Sequence, residues 1–280
     1  MSAVLDIATV SPPAHACARW EIRLGALVLA TAFVLAVLSP WVATEQAQLI
    51  DLDRRLIAPF SLEHLFGTDQ LGRDLASRII VGLSWSFATA VCATAIAFAI
   101  GTLLGLAAAR TDSLLARVIR QATALAQSFP VFVLAVSVIA LVGNGFIAIA
   151  TVLGLASWPV FCRVVQAEAA SLFTREYVLA ARMLQLSRVR LYVMHILPGL
   201  ASSLSVLLPF HFADMLIAES ALSFLGVGAP LGEATWGNML QESRSYLWSA
   251  PWLMLVPATA IVTLVIAANL LGDGLRRRHA

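Results

Sequence analysis

The chain has 280 residues, 60% of them apolar and 12% charged, with a formal net charge of +2 and a mean hydropathy of +0.88. Soluble domains carry about twice that charged fraction and leave about a quarter of their chain surface exposed at this size, so the composition excludes a water-soluble fold, and the net charge is too small to suggest nucleic acid as a partner. Every one of the 18 basic residues is arginine, and without a lysine there is no G-x-x-x-x-G-K-[ST] phosphate loop, so any ATP-driven work must come from another chain.

A bilayer core takes about 20 apolar residues per helix. Stretches at 24–43, 86–109, 125–142, 147–165, 200–218 and 252–271 qualify, which predicts an all-α polytopic membrane bundle of about six transmembrane helices. The first span is expected to be kept rather than cleaved at Val42-Ala43-Thr44, because its apolar run is long for a signal peptide. The third holds Pro130 and the fifth Pro209, each freeing a carbonyl one turn back.

Arginine distribution sets the expected orientation. Arg19, Arg23, Arg110, Arg117, Arg120, Arg163, Arg175, Arg182, Arg188, Arg190 and Arg276 to Arg278 fall on one side, against Arg54, Arg55, Arg73, Arg78 and Arg244 on the other. Acids lean the opposite way, among them Glu45, Asp51, Asp53, Glu63, Asp69 and Asp74. Both termini are therefore expected in the cytoplasm. The chain divides into a cytoplasmic N-terminal segment (1–23), a first helix (24–43), an external segment with an elbow (44–85), a membrane core (86–275) with a cytoplasmic loop at 166–195, and a cytoplasmic tail (276–280). A further external stretch covers 219–250.

In the cytoplasmic loop, Thr174 is a plausible helix N-cap, and Tyr177, Ala180, Ala181 and Leu184 recur at i, i+3, i+4 and i+7 as one apolar stripe flanked by arginines. Two readings stand for it: an amphipathic helix on anionic lipid, or a small-residue surface that docks into a protein groove. Pro198 is expected to close the segment as the chain re-enters the membrane.

The stretch Arg175-Glu176-Tyr177-Val178-Leu179-Ala180-Ala181-Arg182 through Ser187, with His195-Ile196-Leu197-Pro198, resembles the EAA loop of binding-protein-dependent ABC importer permeases. Outside, Gly67-Thr68-Asp69-Gln70-Leu71-Gly72-Arg73-Asp74 with Ser77-Arg78 is similar to the G-T-D-x-L-G-R-D-x-x-S-R signature of the dipeptide/oligopeptide/nickel branch. The segment 219–228, Trp236-Gly237-Asn238-Met239-Leu240 and the stretch 269–276 resemble three further motifs of that branch, in order. The chain departs from the pattern where Leu179 replaces a usual Glu, removing one charge from the loop, and where Gln185 replaces a usual Gly, so the turn there is expected to be built differently.

The resemblance implies a multi-pass inner-membrane permease, importing small peptides, or nickel or another chelated metal. It implies a second homologous permease and two ATP-binding subunits as partners, with a periplasmic or lipid-anchored solute-binding protein delivering the substrate. It also implies an ATPase-coupling loop at Glu176, Tyr177, Ala180, Ala181, Arg182, Leu184, Gln185 and Ser187. Surrounding lipid completes the set of partners, and neither a cofactor nor a metal is expected in this chain.

Externally, Gly67, Thr68, Asp69, Gly72, Arg73 and Asp74 are read either as a docking contact for the binding protein or as a self-satisfied ion pair, with Thr68 or Asp69 capping a helix. In the fifth span, His211 and Asp214 stand i, i+3 and can pair, with Glu219 near the outer end. Ionisable groups at such depth line a route or clamp a neighbouring helix, and two ligands do not make a metal site. The same three residues define the alternative function, a proton-coupled secondary transporter. No catalytic residues are expected: the histidines form no H-E-x-x-H, the cysteines Cys17, Cys92 and Cys162 form no C-x-x-C, and no Ser/His/Asp set can be assembled. The seven tryptophans, mostly near span ends, read as interface anchors.

Overall fold

The computed structural model describes residues 14–42, 47–61, 63–109, 113–230 and 232–279. Residues 1–13, the Ala43-Thr44 junction, Glu45 and Arg110, together with the side chains of His15, Cys17 and Arg188, lie outside the described residues. Among the described residues ten α-helices follow in order: α1 Ala14–Val42, α2 Leu75–Ala108, α3 Leu114–Gln127, α4 Val131–Val142, α5 Phe146–Leu172, α6 Glu176–Met183, α7 Arg188–Leu191, α8 Leu197–Phe224, α9 Trp236–Ser243 and α10 Trp252–His279. Among the described residues the β-structure amounts to one isolated bridge between Thr68 and Asp74. Five helices among the described residues are long and apolar enough to cross a membrane, and the bent pair α3–α4 brings the number to six if it counts as one span.

That pair corrects the expected third span. The run 125–142 is not one helix, because α3 and α4 meet at 86°. Pro130 disfavours helical geometry at Phe129 and has no N–H to give. Just before it, Ser128 turns its hydroxyl back onto the Ala124 carbonyl at 3.0 Å, a bond that competes with regular helix. At 12 residues α4 is about 18 Å long, short of a hydrocarbon core of about 30 Å. Pro159, Pro209 and Pro257, by contrast, all sit inside unbroken helices.

α2 begins at Leu75, eleven residues earlier than its apolar run alone suggests, so the external segment is correspondingly shorter. Asp74 starts it: the carboxylate accepts the Ser77 N–H at 2.8 Å, satisfying an amide the first turn leaves open. Along α2, Ala93, Ala97, Gly101, Gly105 and Ala109 stand every fourth residue, and all are buried. They form a ridge without side-chain bulk, against which α5 packs in parallel. A Cβ at Gly101 would lie 2.5 Å from the Trp158 carbonyl oxygen, and one at Gly105 would lie 2.7 Å from that of Cys162. Gly154 returns the favour from α5, where a Cβ would meet Ile96 at 2.7 Å. Lipid supplies no hydrophobic drive between helices, so close van der Waals approach on small residues is what holds such a seam.

α1 packs against α10 on the same logic at Gly25, whose absent Cβ leaves room for the Ala267 carbonyl. The Arg277 guanidinium donates to Glu21 at 2.9 Å, placing the start of α1 beside the end of α10. At this end of the bundle, Val178 and Ala181 of α6 join Val165, Ala169, Ile196 and Leu200 in one apolar cluster. At the opposite end, the segment 47–74 and α9 meet above α2, with the Trp252 indole donating to the Thr68 carbonyl at 3.5 Å. Trp236 is not an interface anchor: it is buried, and its indole N–H donates to the Ile79 carbonyl at 3.1 Å.

Gly101→Val should therefore destabilise the bundle by about 1–3 kcal/mol through overpacking, read as a lower melting temperature of the detergent-purified chain. Leu103→Ala, on the exposed face of the same helix, should leave that temperature nearly unchanged; equal effects would remove the ridge as the seam.

Candidate functional site

Two polar constructions sit at the two ends of the bundle, and a third group lies on α8 between them. At the α6 end, a short helix projects from the bundle. Val178 and Ala181, three apart, face inward and are buried. The remaining surface of α6 is open, and it presents Tyr177, Leu179, Ala180, Met183 and Leu184, with Met183 84% and Leu184 77% exposed. The expected stripe is thus corrected in one member: Ala181 anchors α6 to the bundle, and the exposed apolar face takes Leu179 and Met183 in its place. Glu176 and Arg182 are exposed on either side. Val178 and Ala181 thus hold α6 to the bundle while its larger aliphatic side chains are left uncovered.

The N-cap position of α6 is Arg175, without a side-chain cap bond, while the Thr174 hydroxyl donates to the Ser171 carbonyl at 2.7 Å, so Thr174 closes α5 rather than opening α6. After α6 the chain turns through Gln185 at φ 54. The turn is therefore made in the left-handed way that a glycine would make it, against the expectation of a different construction. Ser187 then caps α7, its Oγ accepting from Arg190 N at 3.4 Å. Pro198 does not end the segment. It lies in the first turn of α8, preceded by a π turn over Tyr192–Ile196 in which Leu197 N donates to the Tyr192 carbonyl. The wider turn accommodates a proline that neither donates nor tolerates a carbonyl one α-turn back. The Tyr177 ring stacks over His195 at 6.5 Å and 20°, joining the projecting helix to that turn.

At the opposite end, Asp69 is buried and fully engaged. Oδ1 accepts from Leu71 N at 2.8 Å and Arg73 N at 2.9 Å. Oδ2 accepts from Arg73 Nε at 2.6 Å and from the Arg78 guanidinium. Glu242 of α9 closes the network, accepting from Arg73 at 3.1 Å, Arg78 at 2.9 Å and Gln70 at 3.0 Å. Gly67 and Gly72 both have φ near +80, and a Cβ at Gly72 would lie 1.7 Å from the Asp51 carbonyl oxygen; only glycine fits both the backbone and the space. The helix cap falls on Asp74, not on Thr68 or Asp69. Asp74 also meets the His64 Nδ1 at 3.0 Å, and Thr68 instead donates to the Arg54 carbonyl and accepts from Ile57 N. Arg78 and Glu242, both absent from the expected site, are what make this a tie between α2 and α9. Arg78 stands in the S-R of the external motif; Glu242 carries no local signal, since its role depends on a neighbour more than 160 residues away.

On α8, His211 and Asp214 do not pair. His211 is buried against the Phe161 ring at 4.8 Å, with Nδ1 3.4 Å from the Thr94 hydroxyl. Asp214 faces out of the bundle, because α8 turns its inward face through Phe212, Met215 and Leu216. Glu219 is wholly buried, accepting from the Ser223 hydroxyl at 3.0 Å. Ser223 in turn accepts from Ala229 N at 3.1 Å, so Glu219 braces the loop that carries the chain to α9. No hydrogen bond among the described residues links the three into a relay, and no group of three or more metal-ligating side chains occurs among them.

A family model described as the binding-protein-dependent transport system inner membrane component matches residues 101–280. The chain is 38% identical over 261 residues to a putative peptide transport system permease of Brucella suis, covering 92% of this chain and 86% of that one. It is 31% identical over 258 residues to the nickel transport system permease NikC of Escherichia coli, covering 92% and 93%. It is also 38% identical over 252 residues to the glutathione transport system permease GsiD of Escherichia coli, covering 90% and 83%. Among solved structures, an amino acid ABC transporter with histidines superposes with a TM-score of 0.52 at 18% identity, over 72% of this chain and 94% of that one, a likeness of fold.

Arg78→Met should destabilise the external end strongly, by about 3–5 kcal/mol, because it strands part of the charge on Asp69 in a buried site; chemical denaturation of the purified chain measures it. Gln185→Gly should be neutral or slightly stabilising in the same assay, while Gln185→Val should be destabilising, since a β-branched residue resists that backbone conformation.

Proposed function

The chain belongs to the family of binding-protein-dependent transport system inner membrane components, and we propose that within its importer it passes small peptides handed over by an external solute-binding protein. The permease role follows from the family: the chain is the membrane-spanning part of an ABC importer of the inner membrane. Peptide is favoured as substrate by the named role of the Brucella suis relative, with the glutathione permease, itself serving a small peptide, at the same identity. Nickel or a chelated metal is the competing substrate, through the nickel permease at lower identity.

The observation that carries the mechanism is the uncovered apolar face of α6, at Tyr177, Leu179, Ala180, Met183 and Leu184. We place the arginine-rich end in the cytoplasm, following the charge bias, so this face meets an ATP-binding subunit. The chain has no lysine with which to bind phosphate itself. Two such subunits would dock on this chain and on a second, homologous permease. Closure of the pair on ATP would push α6, and the Tyr177–His195 stack and π turn would pass the displacement into α8. Alternating access then becomes the rocking of helix groups about seams that do not themselves deform. Asp214 and its outward face line the route or the second permease.

The external network has a different part. Asp69, Arg73, Arg78 and Glu242 are bonded to one another rather than displayed, so they hold the outer surface rigid while the binding protein seats on it. The proton-relay alternative has no geometric support, since His211, Asp214 and Glu219 face three different surroundings.

Co-purification of the affinity-tagged chain from cells expressing the whole importer tests the coupling face. Leu184→Glu should lose the ATP-binding subunits while retaining the second permease, with an unchanged melting temperature; Ala181→Glu, a buried position, should instead lower the melting temperature and lose both partners. Retention of the ATP-binding subunits by Leu184→Glu would sink the docking assignment. For substrate, uptake of a labelled dipeptide into proteoliposomes holding the complete importer should be competed by unlabelled peptides and not by nickel ions; the reverse pattern would overturn the peptide assignment.

A further inference from the structure

A cleft of about 460 Å³ opens between α5, α8 and α10, lined by Val164, Ser202, Ser203, Val206, Leu207, Phe210, Arg276 and His279. Its composition is graded along the helices. Phe210, which packs against the backbone at Gly272, forms the deep end with Val164, Val206 and Leu207. The hydroxyls of Ser202 and Ser203 stand one to two turns higher on α8, and Arg276 and His279, in the last turn of α10, form the mouth. From the level of Gly272 to that of His279 the rise is about 10 Å. This is the profile of an amphiphile with an anionic head: apolar below, hydroxyls at ester depth, a guanidinium and an imidazole at the headgroup.

The charges around the mouth are disposed to accept such a head. Arg277 is taken by Glu21 at 2.9 Å. The Glu168 carboxylate accepts from Ser203 at 2.6 Å and is not among the lining residues. Arg276 is held only by Asp273 at 3.4 Å, with the two side chains 68% and 40% exposed. A solvent-screened pair of that kind is weak, so Arg276 can turn to a phosphate at little cost. Arg278 adds to the local positive potential from outside the cleft. Basic pockets between transmembrane helices at the membrane surface are a known form of lipid-headgroup site, and Arg276 stands at a helix C-terminus, where the backbone dipole favours a cation.

We propose that this cleft binds one anionic phospholipid, its phosphate between Arg276 and His279 and an acyl chain against Val206, Leu207 and Phe210. The site does not depend on which substrate the importer carries or on the docking assigned to α6. A lipid held there would tie the end of α10 to α8, bracing the helix group that α6 displaces.

The test is native mass spectrometry of the importer purified with its partner chains, delipidated and then offered phosphatidylglycerol, phosphatidylcholine of the same chain length, or inorganic phosphate. The wild type should retain one phosphatidylglycerol per copy of this chain in preference to phosphatidylcholine, and phosphate alone should not displace it. Arg276→Gln with His279→Gln should weaken that retention about tenfold, while Arg278→Gln, removing one arginine beside the cleft, should retain it. Val206→Trp should block retention with the mouth intact; because this variant fills a groove and can misfold, the exposed Arg276 and His279 pair is the deciding substitution. Equal retention of both lipids, displacement by phosphate alone, equal behaviour of the mouth and Arg278 variants, or a cleft that takes lipid in the isolated chain but not in the assembled importer would each overturn the assignment.

Discussion

The hydrocarbon of a bilayer offers no hydrogen-bond partner, and the rest of this structure follows from how the chain lives with that. Glu219 on α8 meets this by bonding within the protein, to Ser223, while Asp69, with four donors, collects its charge partners at the end of the bundle. The helix breaks obey the same rule: at Pro130 the chain bends through a polar Gln-Ser pair, and near Pro198 a π turn absorbs the missing donor.

The two ends of the bundle are built to opposite specifications. At one, four charged side chains and a buried tryptophan fasten α2, α9 and the segment before them into a block. At the other, α6 is held by two small apolar side chains and leaves its larger ones uncovered. The coupling proposed above would use this asymmetry: the α6 end would accept a partner and move, while the opposite end would keep a fixed shape. Between them, the parallel seam of α2 and α5 on Ala93, Ala97, Gly101 and Gly105 is packed backbone to backbone and so resists deformation.

How much of this was legible in the sequence depends on the range of the interaction. Five of the six expected spans were legible from composition, because apolar length is a local property, while the third proved to be a bent pair; the order of motifs pointed to the family. The bend at Pro130 and the survival of helix through Pro209 were not separable, since both positions carry the same local signal. Gln185 was misjudged for a related reason: its unfavourable backbone geometry is affordable once α6 and α7 are fixed on either side. Ala181 and Leu179 exchanged roles because a stripe at helical spacing does not say which side of it the bundle occupies. Five small residues at four-residue intervals along α2 were a readable signal of the seam.

The sequence by itself determined that this is a membrane-spanning helical chain, that it holds no lysine, and where five of its long apolar helices run. Apolar run length, the absence of lysine and local turn chemistry are all settled within a few residues of where they are read. Only the tertiary structure decided that Arg78 and Glu242 meet across 164 residues, that His211 and Asp214 look away from each other, and which face of α6 is bare. Those outcomes turn on the rotation of each helix about its own axis, which is fixed by packing against its neighbours and is not encoded in any one helix.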